Sequence, residues 1–320
     1  MNRFYEWSTD AERDLDYSSD FELLVFMDKH LFHEYEPTKL GGPVFKRRLY
    51  EWLDGVPDEA DQKLLFKLTR WIYYVGAPEL LSLYTEAYTS NFSWWLADQL
   101  GVSDVTQVRE IAWDLAVRQT WFCPITDSLD IAKFHHLHGL RGDQRPAIRS
   151  IAALCTGDGQ RIREYMAENQ IERLVLLEDF VGSGRQAASA IKYMQELNPD
   201  LPILVCPLII CPPGTSRLER IIDPQQTVLS PVLELSPSIM LTPSGAANEP
   251  PEFSNFRALL NRLSVYVRAS SAPPTNPQVF GFESTGSLTV LNTNCPNNAP
   301  PVIHAKSSSW TPLFPRRSRD

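Results

Sequence analysis

The sequence predicts an α/β protein: a mostly parallel sheet flanked by helices, preceded by an N-terminal all-helical region. Three observations carry that prediction. Beyond about residue 120, apolar runs of strand length alternate with amphipathic stretches, the pattern of strand–helix–strand units. One of those runs, PILVCPLIIC (Pro202–Cys211), is apolar throughout, as strands covered on both faces are. Composition also shifts along the chain: nineteen of the 25 prolines follow Asn198, whereas seven of the eight tryptophans precede Phe122. The expected division is a helical region over residues 1–119 and an α/β domain over 120–320.

In the front region, SDFELLVFMDKHLFHEY and PVFKRRLYEWLDGV read as helices. Asp58–Gly76 reads as a third, capped by Asp58, with Leu64, Leu65, Leu68 and Ile72 on one face and Gly76 as its stop. Ala77–Gly101 follows with the same logic, and Ser103–Gln119 opens on a Ser/Asp cap. The aromatic residues Trp71, Tyr73, Tyr74, Trp94 and Trp95 are expected to pack in a core or a subunit interface. In the back region, TWFCPIT and Arg173–Leu177 read as strands, Gly159–Gln170 as a helix, and a further helix runs to about Leu197. TSRLERII then reads as helix, TVLSPVLEL as strand, and EFSNFRALLNRLSVYVRAS, from Glu252, as helix.

Charge and cysteine usage narrow the class. A net charge of −9 argues against a general nucleic-acid binder, because counterion release needs clustered Lys and Arg. PRRSRD is the obvious basic candidate, and a solvated terminus is the preferred reading of it. Five cysteines, Cys123, Cys155, Cys206, Cys211 and Cys295, are odd in number and form no CxxC pair. That usage suits a reducing cytoplasm. The acidic first residues lack an apolar signal core, and no run reaches the roughly 18 apolar residues of a membrane helix. The expectation is a cytoplasmic protein with no membrane association.

The chemistry concentrates in RLVLLEDFVGSGRQAASAIKYM, from Arg173 to Met194. A strand meets two acids, then a glycine-rich turn, then an amphipathic helix. A phosphate loop of the nucleotide hydrolases would need GxxxxGK[ST], and GSGRQA has neither the lysine nor the length. A dinucleotide fingerprint finds Gly182, Gly184 and Ala187 in GxGxx[GA] spacing, but it wants an acid at the end of the next strand, where this chain has IICPPG. A sugar phosphate is the third option. Glu178 and Asp179 supply acceptors for adjacent hydroxyls, directly or through metal. The turn Gly182-Ser183-Gly184-Arg185-Gln186 supplies backbone donors at a helix N-terminus for a 5-phosphate. A tight strand–helix turn with solvated acids is the bland alternative.

This stretch resembles the phosphoribosyl pyrophosphate (PRPP) motif of type I phosphoribosyltransferases, with VLLEDFVGSGRQ matching the strand, both acids and the two apolar positions. It departs where family threonines are replaced by Gly182 and Gln186. PITDSLDIAKFHHL, LLEDFVGSGRQ, NTNCPNNAPPVIH and WTPLFPR, in that order, resemble the phosphoribosyltransferase-like proteins of bacterial conflict systems, including retron-linked ones. The resemblance implies a type I phosphoribosyltransferase-like α/β core that binds Mg²⁺ and PRPP, or a nucleotide offering the same ribose 5-phosphate. It further implies an anti-phage effector restrained by an inhibitory protein or ribonucleoprotein partner. A nucleotide N-glycosidase and a non-catalytic nucleotide-sensing module stand as alternatives.

Secondary candidates follow from that fold. Thr126, Asp127 and Ser128 stand where the pyrophosphate loop would lie, with Mg²⁺ between Asp127 and the diphosphate; a structural turn is the alternative. Magnesium ligands would come from Asp127, Glu178 and Asp179. Among His135, His136 and His138 no pair has the i,i+4 spacing of a helical metal site, and His136 is kept as a base-contact candidate beside a packing role. Trp310 and Arg316 are candidates to stack a base and pair a phosphate, or else to anchor the tail.

Overall fold

The expected alternation is present as a five-stranded sheet in which every pair is parallel. The computed structural model describes residues 7, 15–39, 41–102, 110–140, 159–267 and 278–317. In chain order the front holds α1 (Leu15–His30), α2 (Glu36–Lys39), α3 (Phe45–Asp54), α4 (Glu59–Leu68), β1 (Tyr73–Val75), α5 (Ala77–Glu86), α6 (Ser93–Gln99) and α7 (Glu110–Arg118). There follow β2 (Thr120–Pro124), α8 (Ile131–Leu137), α9 (Gly159–Glu168), β3 (Arg173–Val181), α10 (Arg185–Leu197), β4 (Ile203–Ile210) and α11 (Pro212–Glu219). The chain continues with β5 (Thr227–Leu229), β6 (Leu233–Glu234), α12 (Phe253–Val267), β7 (Thr289–Leu291) and α13 (Pro301–His304).

Two compact units result: Met1–Leu80 with Ser236–Asp320, and Leu81–Leu235. This division differs from the 119/120 boundary expected from composition, for reasons visible within each unit. In the sheet unit, α5 and α6 are joined by a π-helical stretch, Ala87–Phe92, whose Asn91 Nδ2 donates to Ser230 Oγ at 2.8 Å. Phe92 also meets Phe122 of β2 edge-on, 4.8 Å between centroids. In the other unit, the C-terminal segment is fastened to the front helices. Arg48 Nε donates to Leu313 O (2.8 Å), and Tyr35 Oη to Pro315 O (2.9 Å). The indoles of Trp52 and Trp310 both donate to the carbonyl of Val302, at 2.7 and 3.0 Å.

Several helices begin and end as the sequence predicts. Asp58 accepts from Asp61 N at 2.9 Å and caps α4, and Gly101, at φ +65, follows the end of α6. The stretch expected as one helix over Asp58–Gly76 does not stay helical. It passes through a 3₁₀ turn at Thr69–Trp71 into β1, which pairs in parallel with β7, Tyr73 to Thr289 and Val75 to Leu291. Tyr73-Tyr74-Val75 is aromatic and β-branched, a sequence that favours a strand once a partner is available. Among the described residues this is the one strand of the otherwise helical front. The expected Ser103/Asp104 cap lies outside the described residues. Tyr74 and Trp95 are buried as expected of core aromatics, while Tyr73 and Trp94 are exposed.

The sheet order is β2-β3-β4-β5, with β6 replacing β5 along the far part of β4. TVLSPVLEL, expected as one strand, is thus two, broken at Ser230-Pro231. All eight residues of β4 are buried, as its unbroken apolar sequence implies. Pro207 fits inside this strand because its carbonyl accepts from Val232 N (2.9 Å), so the side lacking an N–H faces the gap between β5 and β6. The core under the sheet includes Trp121, Leu174, Leu176, Ile191, Met194 and Val205. Cys123, Cys206, Cys211 and Cys295 are buried thiols outside any disulfide, consistent with their use as small apolar residues; Cys155 lies outside the described residues.

His304 offers a test of the first unit. Its Nε2 lies 3.1 Å from Ala299 O, and burial, with Arg316 nearby, pushes its pKa down from 6.5 to about 4. The unfolded chain binds the proton first, so this unit loses stability as pH falls from 6.5 towards 4, by about 3 kcal/mol at full development. Thermal melts at stepped pH should show a shallower acid slope for His304→Gln than for the parent.

Candidate functional site

The site grows from a mismatch in strand length. β2 pairs with β3 from Thr120↔Arg173 to Pro124↔Leu177 and then leaves the sheet. β3 continues to Val181 alongside β4, with Glu178 opposite Pro207 and Val181 opposite Ile210. The sequence reading ended this strand at Leu177 with the acids beyond it; continued pairing with β4 keeps Glu178 and Asp179 inside it. One flank of these residues is a strand, and the other is the turn that follows β2.

That turn closes on Glu178. Ile125 N donates to Leu177 O at 2.7 Å, which carries Thr126 level with the Glu178 side chain. Thr126 N then donates to Oε2 at 2.8 Å and Thr126 Oγ1 to Oε1 at 2.9 Å, while Ser128 Oγ also donates to Oε1. The two hydroxyls are 2.6 Å apart. The structure thus brings Thr126 and Ser128 together with the acid pair, whereas Asp127 is exposed on the turn.

The acids are not solvated: Glu178 is 4% exposed and Asp179 6%. Burial raises the Glu178 pKa well above the usual carboxylate range. The charge of Asp179 and a hydrogen bond to it raise it further, against the lowering effect of the Ser128 and Thr126 donors. Two neighbouring buried carboxyls cannot both ionise cheaply, and one proton between them relieves the repulsion.

The glycine turn follows. Gly182, Ser183 and Gly184 are buried, and Arg185 and Gln186 are exposed in the first turn of α10. Gly184 caps α10 at φ +73 with no side-chain cap, so its terminal N–H groups are not met by a capping side chain. A Cβ on Gly184 would stand 3.1 Å from the Cα and carbonyl oxygen of Gly214 in α11. One on Gly214 would stand 2.8 Å from the carbonyl oxygen of Gly182. Two glycines therefore set how closely the turn and α11 approach.

The remaining candidates are placed elsewhere. His136 is exposed on α8. Its neighbour His135 is buried, and His138 stacks on Tyr88 at 4.3 Å with Nε2 3.1 Å from Tyr84 O; burial lowers its pKa. Trp310 belongs to the other unit, 2% exposed and donating to Val302 O, and so has the anchoring role rather than a face free for a base. Arg316, exposed, belongs to the same unit.

Tyr84 is a site residue that the sequence did not single out. It lies on α5, 1% exposed, with its ring 5.9 Å from that of Phe134. Burial raises its pKa, and the charges of Asp179, Asp130 and Glu178 act in the same direction. In the sequence it is one aromatic at helical spacing among several, with nothing to separate it from core. Among the described residues no three His, Cys, Asp or Glu side chains converge as a metal site. No described helix is long and apolar enough to cross a membrane.

Two measurements follow. Gly214→Ala would ordinarily favour a helix, yet here it should destabilise by about 1–3 kcal/mol, because the new methyl meets Gly182 O; denaturant midpoints decide. Because Glu178 keeps its proton to a higher pH than the unfolded chain, its contribution to stability falls as pH rises above 4.5. Glu178→Gln should flatten that fall in melts from pH 5 upward.

Comparison with curated proteins and with solved structures finds no match. A protein-family model, PRTase-CE, matches residues 49–316, which include the turn after β2, the acid pair, the glycine turn and the C-terminal anchor. With most of its length matched, this chain belongs to the PRTase-CE family and has a phosphoribosyltransferase-like fold.

Proposed function

We propose that the sheet unit binds the ribose 5-phosphate part of PRPP, or of a nucleotide, and transfers the phosphoribosyl group. The observation that carries this reading is the buried pair Glu178–Asp179 set two residues before a glycine turn without a side-chain cap, in a phosphoribosyltransferase-like fold. The pair provides acceptors for the ribose hydroxyls. The N–H groups from Gly182 to Gln186 and the dipole of α10 receive the 5-phosphate, and Arg185 adds charge at its edge. Thr126, Asp127 and Ser128 form the edge nearest the diphosphate.

The bond that breaks joins the anomeric carbon to the diphosphate oxygen or base nitrogen, and an acceptor nitrogen forms the new one. Positive charge gathers on the ribose in between, where the buried carboxyls stabilise it. Magnesium suits oxygen donors of this kind when a diphosphate supplies the rest of its shell. Asp179, with Asp127 on the turn and Glu178 beside it, would hold it; bound there it would neutralise diphosphate charge. From the family resemblance, the same reading makes the protein a cytoplasmic anti-phage effector held in check by a protein or ribonucleoprotein partner.

Calorimetric titration with PRPP and Mg²⁺ tests the binding. The double variant Glu178→Gln/Asp179→Asn should bind at least about tenfold more weakly than the parent, the loss of hydrogen bonds to a charged group. No heat from the parent at millimolar PRPP would remove the reading. Product analysis then separates transfer from hydrolysis: a new N-glycoside in one case, free base or ribose 5-phosphate in the other.

A further inference from the structure

We propose that the outer face of α1 is a self-association surface, through which two copies of this chain pair antiparallel about a two-fold axis beside Phe26. The inference concerns the first unit alone and stands whatever reaction the sheet unit serves.

Helix α1 is apolar on both sides. Its central run FELLVFM (Phe21–Met27) holds one polar residue, Glu22. A surface helix keeps its apolar residues in one stripe, and a helix that is apolar all round is covered all round. The inner stripe is covered: Leu24 is buried, and Tyr17, Phe21 and Met27 pack against the same core. The outer stripe is not. Leu23 is 42% exposed, Val25 41% and Phe26 56%. The ring of His30, 4.5 Å from that of Phe26, carries this surface one turn further. Lys46 Nζ lies 3.9 Å from Asp28 Oδ2, which sets the start of α3, with Val44 73% exposed, beside the same end of α1.

The charges say what covers this face. Glu22, Phe26 and Lys29, all exposed, stand at i, i+4 and i+7 and so run along its middle, with Leu23 and Val25 to either side. The order is acid, apolar centre, base, and reversed it is its own complement. A two-fold axis beside Phe26 sets Glu22 of each copy against Lys29 of the other and brings the two Phe26 rings together. Parallel helices would instead place acid beside acid and base beside base, and would align their dipoles. One patch used twice is the simplest closed assembly. Sixteen residues make a helix about 24 Å long, and so narrow a contact buries less than the roughly 800 Å² per partner of a standard complex. The dimer is accordingly weak, with a Kd on the order of 10–100 µM.

The test is sedimentation velocity on the full chain from about 1 to 300 µM, a range that spans this Kd. The parent should pass from monomer to dimer across it. Phe26→Glu puts two like charges beside the axis and should leave a monomer throughout. Glu22→Lys and Lys29→Glu each turn two attractive pairs into repulsive ones and should weaken association about tenfold. The double variant Glu22→Lys/Lys29→Glu restores both pairs and should return the Kd to within about threefold of the parent. All three positions are exposed, so melting temperatures should stay within about 2 °C of the parent.

A parent that is monomeric at the top of the range overturns the proposal. A dimer that survives Phe26→Glu lies on another face and overturns it too. Loss of the dimer in both single charge variants without recovery in the double overturns the antiparallel pairing, and leaves a different partner or orientation for this face.

Discussion

A central strand that outruns its neighbour leaves polar backbone and side chains facing whatever comes next, and β3 outruns β2 by the four residues Glu178 to Val181. The turn after β2 fills that place by aiming an N–H and two hydroxyls at one carboxyl group. Most of what is distinctive in the sheet unit depends on this contact. It fixes the direction of the chain after β2 and the start of α8. It also makes a buried Glu178 tolerable, because a buried carboxyl is costly unless hydrogen-bonded. Remove the donors and the acid pair becomes two groups competing for water they cannot reach.

The second constraint is steric. Gly184 and Gly214 let the glycine turn and α11 meet at backbone distance, and any side chain at either position would open that approach. The end of the site proposed for the phosphate is thus formed by main chain more than by side chains, with Ser183 buried and Arg185 and Gln186 exposed. Main-chain donors at a helix N-terminus recognise a phosphate by shape and dipole. Gly182 and Gln186, standing where the resembled motif has threonines, consequently remove side-chain donors without removing the backbone N–H groups of the turn.

Much of this was legible in the sequence. The apolar, non-alternating β4 announced a buried parallel strand, and the acid pair before GSGRQ announced its own surroundings, since those residue types are expensive there without purpose. The failures have physical causes. Tyr73-Tyr74-Val75 continued a helical pattern and became a strand only because Thr289-Val290-Leu291, far along the chain, supplied a partner. Trp310 offered an aromatic face on paper, but a hydrogen bond shared with Trp52 at Val302 placed it in a core. The partnership of Thr126 and Ser128 with Glu178 depends on strand register, which short-range pattern does not encode. Tyr84 was invisible for the same reason: its burial comes from Phe134 and His138, far along the chain, packed against it.

The glycine turn also bears on which reaction the proposed site would serve. It carries no carboxylate or imidazole, so it holds no base for the reacting centre, and the nearest proton carriers are Glu178 and Asp179. Of these, Glu178 is occupied by the donors of the turn. Hydrolysis needs a group that takes a proton from water beside the anomeric carbon. Transfer to a nitrogen acceptor asks less: the acceptor brings its own lone pair, and the departing diphosphate can take up the proton released. Among the described residues the proposed sugar-phosphate site offers little general-base capacity, which would match transfer better than hydrolysis. This is the physical ground for preferring a phosphoribosyl transferase to a nucleotide glycosidase on the same fold.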